Sequence, residues 1–263
     1  MEGNFLYTES MELQTRAANG GEVLETAPDR WLYRIPAGPA GAYRWAQRDA
    51  HLDRSRANLP VRPPVSLRLR ARVSTLDLPG TWGFGLWNDP FSMSFGISGA
   101  ARRLPALPNA AWFFFASPHN YLSFRNDTQA NGFLAATFRS PRLPAPLLVL
   151  GAPALALLLT RPSARLLRRM AQMFIKESAS RIAVDVTAWN SYRLDWLPDR
   201  AFFYANETLV HETGISPAGP LGLVIWIDNQ FAAFRPDGRW KFGTLENFTP
   251  AWMEVEALEI NKK

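Results

Sequence analysis

The amino-acid sequence predicts an all-β protein, two antiparallel sheets packed as a sandwich, with one helical segment inserted. Three observations predict it. Short runs rich in Phe, Trp, Val and Ile recur along most of the 263 residues, divided by clusters such as "LPDR", "SPAGP" and "RPDG", the spacing of strands and turns. One run, "VSLRLRARV", alternates throughout between apolar and other residues. One stretch, from Leu143 to Glu177, breaks the pattern with an uncharged leucine-rich half followed by a cationic half.

The elements follow in chain order. Residues 1 to 60 hold two candidate edge strands, "RWLYRIPAG" and "AYRWAQRD", and a Pro-rich connection, "RANLPVRPP". In 65 to 73, Val65, Leu67, Leu69, Ala71 and Val73 share one face and Arg68, Arg70 and Arg72 the other, as in a half-buried strand. Further strands are predicted at 81–87, 110–117, 121–124, 133–139, 181–186, 191–197, 201–206, 221–228 and 252–260, from their content of aromatic and β-branched residues. In "GTWGFG" the glycines take alternate strand positions, which lets a neighbouring ring or backbone approach closely.

Composition allows one large core. Hydrophobic residues make up 47% of the chain, with ten Trp and seventeen Phe, so residues 1–263 are read as one sandwich domain carrying an insertion at 141–178. With no Cys, neither a disulfide framework nor a thiolate metal site is available. The N-terminus lacks a basic stretch followed by an apolar run, and together these features predict a cytoplasmic protein. No G-x-S-x-G, H-E-x-x-H, Walker or G-x-G-x-x-G motif is present, so neither a metal nor a cofactor is expected.

Net charge is +6, and the window from Arg161 to Glu177 holds five basic residues against one acid, +4 of that excess. The basic residues sit beside the greasiest stretch rather than among exposed aromatics, which argues against nucleic acid as partner. Leu143 to Leu159, with Leu147, Leu148, Leu155, Leu157 and Leu158, is broken by Pro144, Pro146, Gly151 and Pro153, too short and interrupted for a spanning helix. From Ser163 to Glu177 the period turns helical. Leu166, Leu167, Met170, Met173 and Phe174 share one arc, and Arg165, Arg168, Arg169, Gln172 and Lys176 the opposite one. Such a helix suits the plane of an anionic membrane surface, and peripheral attachment is the expectation. A lid over a cleft, or a dimer contact, is the other reading of the same pattern.

Three segments carry a family resemblance. "WNSYRLDWLPDRAFFYANETLVHE", with Tyr192, Trp196, Pro198, Asp199, Phe203 and Tyr204 in the matching places, is similar to a segment of family 16 glycoside hydrolases (laminarinases, lichenases). "WMEVEALEI" resembles their closing strand and "GTWGFGLWNDP" an internal one. The resemblance implies a concanavalin A-like jelly roll with a ligand cleft on a concave face. It also implies an E-x-D-x-x-E catalytic strand, which this chain lacks. No Asp or Glu lies between Asp89 and Asp127, and "NAAWFFFASPHNYLSF" puts Trp112, Phe113, Phe114 and Phe115 where the acids belong. Retaining hydrolysis needs two carboxyls about 5 to 5.5 Å apart; rings cannot replace them.

Candidate site residues follow from that replacement. Trp87, Trp112, Phe114 and Trp226, with the strand-end pair Asp228 and Asn229, are the expected ligand-binding set. They suit a small lipophilic or amphiphilic molecule, or a glycan stacked on the rings. Asp89, Asp195, Asp228 and His119 are the weak catalytic candidates, and His211 lacks an acidic partner in sequence. Three functions stay open: a non-hydrolytic binding protein at a membrane surface, a hydrolase, transglycosylase or lectin-like glycan binder with relocated carboxylates, and a cyclase or isomerase of a lipophilic substrate.

Overall fold

Side-chain alternation decides which layer each strand joins. The computed structural model describes residues 11–50, 54–90, 106–143 and 152–263. In chain order the strands are β1 (Gln14–Ala18), β2 (Glu22–Ala27), β3 (Arg30–Ile35), β4 (Trp45–Asp49), β5 (Val65–Val73), β6 (Thr81–Trp87), β7 (Ala110–Ala116) and β8 (Gly132–Arg139). A 3-10 segment (Ala152–Leu159) and the helix α1 (Arg161–Phe174) precede β9 (Lys176–Arg181), β10 (Asn190–Trp196), β11 (Ala201–Ala205) and β12 (Thr208–Thr213). The chain continues through β13 (Gly222–Asp228), β14 (Gln230–Phe234), β15 (Trp240–Thr244) and β16 (Ala251–Lys262).

Two seven-stranded sheets stack on one another. The front sheet runs β1-β4-β13-β6-β7-β8-β9 and the back sheet β12-β11-β10-β5-β16-β3-β2, with β14-β15 as a separate hairpin. In β5 the predicted inward set from Val65 to Val73 is buried, while Arg68 and Arg70 face solvent. Between the sheets Trp82 stacks 4.8 Å from Phe133, Phe84 lies 5.1 Å from Tyr192, and Phe113 meets Phe203 edge-on at 5.2 Å. Ring packing of this kind adds to the area buried and fixes how the layers interlock.

Three sequence expectations are corrected. "YLSF" (121–124) is not a strand: Tyr121 makes one isolated bridge to Ala233 and the chain then loops. The reason is a side chain. The Glu177 carboxylate accepts the Ser123 hydroxyl at 2.5 Å and the backbone N–H groups of Phe124 at 3.1 Å and Arg125 at 2.5 Å, taking the place of a neighbouring strand. The strand expected at 181–186 lies earlier, at β9, because Lys176 to Arg181 pair with β8. That pairing also ends the helix at Phe174 rather than Glu177, with Ile175 extended and its N–H on Ala171 O at 2.8 Å. At its other end the Thr160 hydroxyl caps α1, with a proline in the first turn.

Candidate functional site

Residues of β13 divide cleanly between two faces. Leu223, Ile225 and Ile227 enter the core between the sheets, whereas Trp226 joins a second apolar cluster on the opposite face of the front sheet. On that face stand Trp112 and Phe114 from β7, Leu134, Ala136 and Phe138 from β8, and Trp87 from the end of β6. β7 is buried along its whole length because both faces are covered, Phe113 and Phe115 by the back sheet and Trp112 and Phe114 by this cluster.

The four rings singled out from sequence therefore meet. Trp87 and Trp226 lie nearly parallel with centroids 6.3 Å apart, and Trp112 stands 5.9 Å from Trp87, 5.4 Å from Trp226 and 5.4 Å from Phe114. Trp112 and Phe114 are buried, Trp87 and Trp226 half-buried. The two glycines of β6 make the room. A Cβ on Gly83 would stand 2.8 Å from the Trp226 ring and 2.5 Å from Phe113 O, and one on Gly85 would stand 2.5 Å from Trp112 Cβ. Trp112 Nε1 is buried without a hydrogen-bond acceptor among the described residues.

Part of this face is covered from within the chain. Leu122 and Phe124 of the loop after β7, with Ala171 and Ile175 of the helical insertion, pack on the cluster. Two side chains hold the cover in place: Gln172 Nε2 donates to Phe124 O at 2.6 Å, and Arg168 donates to the carbonyls of Ser123 and Arg125, each at 2.8 Å, and of Phe234 at 2.5 Å.

Asp228 and Asn229 behave differently from one another. Asp228 ends β13 on the ring-bearing face, where Oδ1 accepts from Thr81 N (3.1 Å), Thr81 Oγ1 (2.9 Å) and Gln230 N (3.1 Å), and Oδ2 from Tyr43 OH (3.3 Å). Burial pushes its carboxyl up to about 7, against the pull of those hydrogen bonds. Asn229 is fully buried: its Nδ2 donates to Ala42 O and Leu245 O, and its Oδ1 accepts from Arg44 N. The expectation of Asn229 as a ligand contact is corrected, since all its polar atoms brace two loops.

The other catalytic candidates are dispersed. Asp89 is buried in a left-handed turn (φ 50°), and Arg56 binds the carbonyls of Asn88 at 2.8 Å and Asp89 at 2.6 Å. His119 is exposed beside Phe231. Asp195 belongs to the back sheet, where Lys263 Nζ donates to its Oδ2 at 2.7 Å. His211, on β12, bonds Ser180 Oγ through Nδ1 at 2.8 Å and Ser178 Oγ through Nε2 at 3.1 Å, and so ties the back sheet to β9 of the front sheet. No group of three His, Asp or Glu able to hold a metal occurs among the described residues.

Strand order and register set the distances between acids on the ring-bearing face. Asp228 pairs with Trp45, four residues along β4 from Asp49, a separation of about 13 Å at ~3.3 Å per residue. Glu177 lies on β9, with β6, β7 and β8 between it and β13, about 19 Å away at ~4.8 Å per strand. β6, β7 and β8 carry no acid.

The fold aligns with solved structures. An endo-β-1,4-glucuronan lyase from the fungus Trichoderma reesei aligns with a TM-score of 0.52 over 95% of this chain and 90% of that one, at 12% identity. The fold is a concanavalin A-like jelly roll. A Bacillus licheniformis β-glucanase aligns at 0.49 with 9% identity, covering 95% of this chain and 92% of that one. A legume lectin-like domain from Entamoeba histolytica aligns at 0.47 with 8% identity, covering 95% and 90%. No family model matches the sequence, nor does the sequence of any curated protein.

On this jelly roll the helical insertion turns neither of its two sequence arcs wholly inward. Its inward face holds Ala164, Leu167, Arg168, Ala171 and Gln172: Arg168, expected on a membrane-facing side, is 2% exposed, with Asn126 Oδ1 at 3.3 Å in addition to its three carbonyls. The expectation for Arg168 is corrected, because the carbonyls satisfy a guanidinium that water would otherwise have to solvate. Arg165 and Arg169 are exposed, Arg165 Nε donating to Asp237 O at 3.0 Å. Leu166, Met170 and Phe174 are exposed, and Leu157 and Leu158 half-buried. Leu147, Leu148 and the Leu155 side chain lie outside the described residues. Among the described residues no helix is long and apolar enough to cross a membrane.

Proposed function

We propose that the protein is a non-hydrolytic jelly roll that binds an apolar or amphiphilic small molecule on the rings of its front sheet, at a membrane surface. One observation carries this reading. Where bond-breaking carboxylates are expected, β7 presents Trp112 and Phe114, joined by Trp87, Trp226 and Phe138 into one apolar cluster. Register supports it, because the described acids of this face are separated by more than the ~5 to 9.5 Å that either mode of glycoside hydrolysis tolerates. The surroundings of Trp112 are apolar, with Leu122, Phe124, Leu134, Ala171 and Ile175 against the rings. That environment favours hydrocarbon over a hydroxyl-rich ligand.

The test uses two probes. Oleate is expected to quench tryptophan fluorescence saturably at micromolar concentration, and Trp226→Ala to weaken it at least about tenfold. Laminarihexaose and glucuronan are expected to be neither bound nor cleaved. Cleavage of either sugar, lost in Asp228→Asn, would overturn the proposal.

A glycan-binding reading has its own observation. The half-buried, near-parallel Trp87 and Trp226 rings have Gln47 beside them in register with Trp226, and Gln47 Nε2 donates to Asp49 Oδ2 at 2.8 Å. Rings next to an amide and a carboxylate suit a sugar. Saturable binding of laminarihexaose without cleavage would select this reading over the first.

A further inference from the structure

We infer that α1 docks the protein on an anionic phospholipid bilayer through the arc it turns to solvent, with the headgroup phosphates met by Arg169, Lys176 and the groove at the C-terminal end of the helix. This names the partner in the membrane part of the proposed function and rests on it. The orientation of α1 is the primary observation. Leu159, Leu166, Met170, Met173 and Phe174 are 39–85% exposed, while Ala164 and Arg168 of the same segment are buried. An amphipathic helix on its own protein buries its apolar arc; this one turns most of that arc to solvent and buries Ala164 and Arg168 instead.

The helix is fixed in that orientation at several points along its length. Arg165 is tied to Asp237 O, Arg168 to three carbonyls and Gln172 to Phe124 O, so rolling the apolar arc inward would break all of these bonds. A helix of 14 residues is about 21 Å long, and lying flat it offers one continuous apolar strip.

Charge selects the occupant. Beside that strip Arg161, Arg169 and Lys176 are exposed, and from Arg161 to Lys176 the sequence has no acid. A second copy related by a two-fold axis would set cation against cation. Lipid phosphates bring the complementary sign, each exposed basic side chain adding to attachment. At the end of α1 a cavity of about 380 Å³ is lined by Arg125, Asn126, Asp127, Gln172, Ile175 and Lys176. Its one acid is held by Arg125 in a two-point pair at 2.8 and 2.5 Å, which leaves Lys176 to a headgroup.

The experiment is co-sedimentation of the intact protein with vesicles of phosphatidylcholine alone, or with about a third phosphatidylserine, at low and high salt. The wild type is expected to pellet with the anionic vesicles only, and at least about tenfold less at high salt. Met173→Glu with Phe174→Glu, both on exposed positions, is expected to abolish pelleting. Arg169→Glu with Lys176→Glu is expected to reduce it at least about tenfold, while Leu209→Glu, on an exposed apolar residue of β12, leaves it unchanged. Any of the following overturns the inference: no pelleting of the wild type, equal pelleting with both vesicles, wild-type behaviour of the Met173/Phe174 variant, or a dimer in light scattering that this variant dissolves. Oleate quenching is measured without vesicles, so failure here leaves the ring-cluster reading standing and failure there leaves docking standing.

Discussion

Trp226 is held in place by Thr81: its Nε1–H donates to the Thr81 hydroxyl at 2.9 Å, and that hydroxyl donates in turn to Asp228 Oδ1 at 2.9 Å. The chain of bonds orients the half-buried ring at the edge of the cluster. Thr81→Val keeps the shape and removes the hydroxyl, leaving the indole N–H without its acceptor. The expected cost is about 1–3 kcal/mol by urea unfolding, together with a changed near-ultraviolet dichroism. An unchanged spectrum would show that packing alone orients Trp226.

Asp228 makes stability depend on pH. Burial raises its carboxyl from 3.8 to about 7, so the folded state binds this proton more tightly than the unfolded chain does. Its contribution is fully present below the unfolded value and is lost as pH rises through the folded one. In Asp228→Asn that dependence disappears. Comparing urea midpoints at pH 4.5 and pH 8, the variant is expected to gain on the wild type at the higher pH. A gap that stays constant would refute the assignment.

Legibility from sequence followed the physics of each element. β5, β6 and β7 were readable because alternation, or an unbroken run of rings, is a local property, and the glycines of β6 announced the close approach of Trp112 and Trp226. The same locality explains the misses. Residues 121–124 look like a strand, but Glu177, more than fifty residues later, takes their donors. Periodicity sorts α1 into an apolar and a basic arc, yet the face that meets the protein (Ala164, Leu167, Arg168, Ala171, Gln172) lies across the border between them, and three carbonyls distant in sequence decide it for Arg168. "RPDG" marked the turn at 235–238, yet β14 and β15 were not expected, since neither "QFAAF" nor "WKFGT" alternates in a way that separates strand from loop.

Arg168 locks the insertion to the jelly roll. Burial lowers its pKa, and its donors serve the carbonyls of Ser123, Arg125 and Phe234. In Arg168→Met those carbonyls lose their partner, for an expected loss of about 3 kcal/mol or more. Limited proteolysis should then cut first within 121–131, as the cover over Trp112 loosens. Cleavage at the wild-type rate would place the lock elsewhere.

Gly83 tests whether the glycines serve the rings. Alanine there puts a methyl group 2.5 Å from Phe113 O and 2.8 Å from the Trp226 ring, overpacking with an expected cost of about 1–3 kcal/mol. In a Gly83→Ala, Trp226→Ala double variant the ring clash is gone and the carbonyl clash remains. The second substitution should therefore cost less in the Gly83→Ala background than in the wild type, and additive costs would assign the glycine to backbone approach alone.

His211 sets the acid limit. Burial lowers its pKa below the ordinary value of 6.5, and both ring nitrogens are engaged by serines of β9, so the neutral ring is the form the fold holds. A group depressed in this way contributes stability that is fully present above its unfolded pKa and is lost as pH falls through the folded one. Against His211→Gln, the wild-type urea midpoint should therefore lose ground below about pH 6.5. His211→Gln removes that titration: it is expected to be less stable at pH 7.5, where the serine bonds are weakened, and its deficit against the wild type is expected to shrink between pH 7 and pH 5. Because His211 joins β12 of one sheet to β9 of the other, hydrogen exchange should show these two strands opening together in acid. Independent opening would mean that the histidine fills space at the sandwich edge without coupling the sheets.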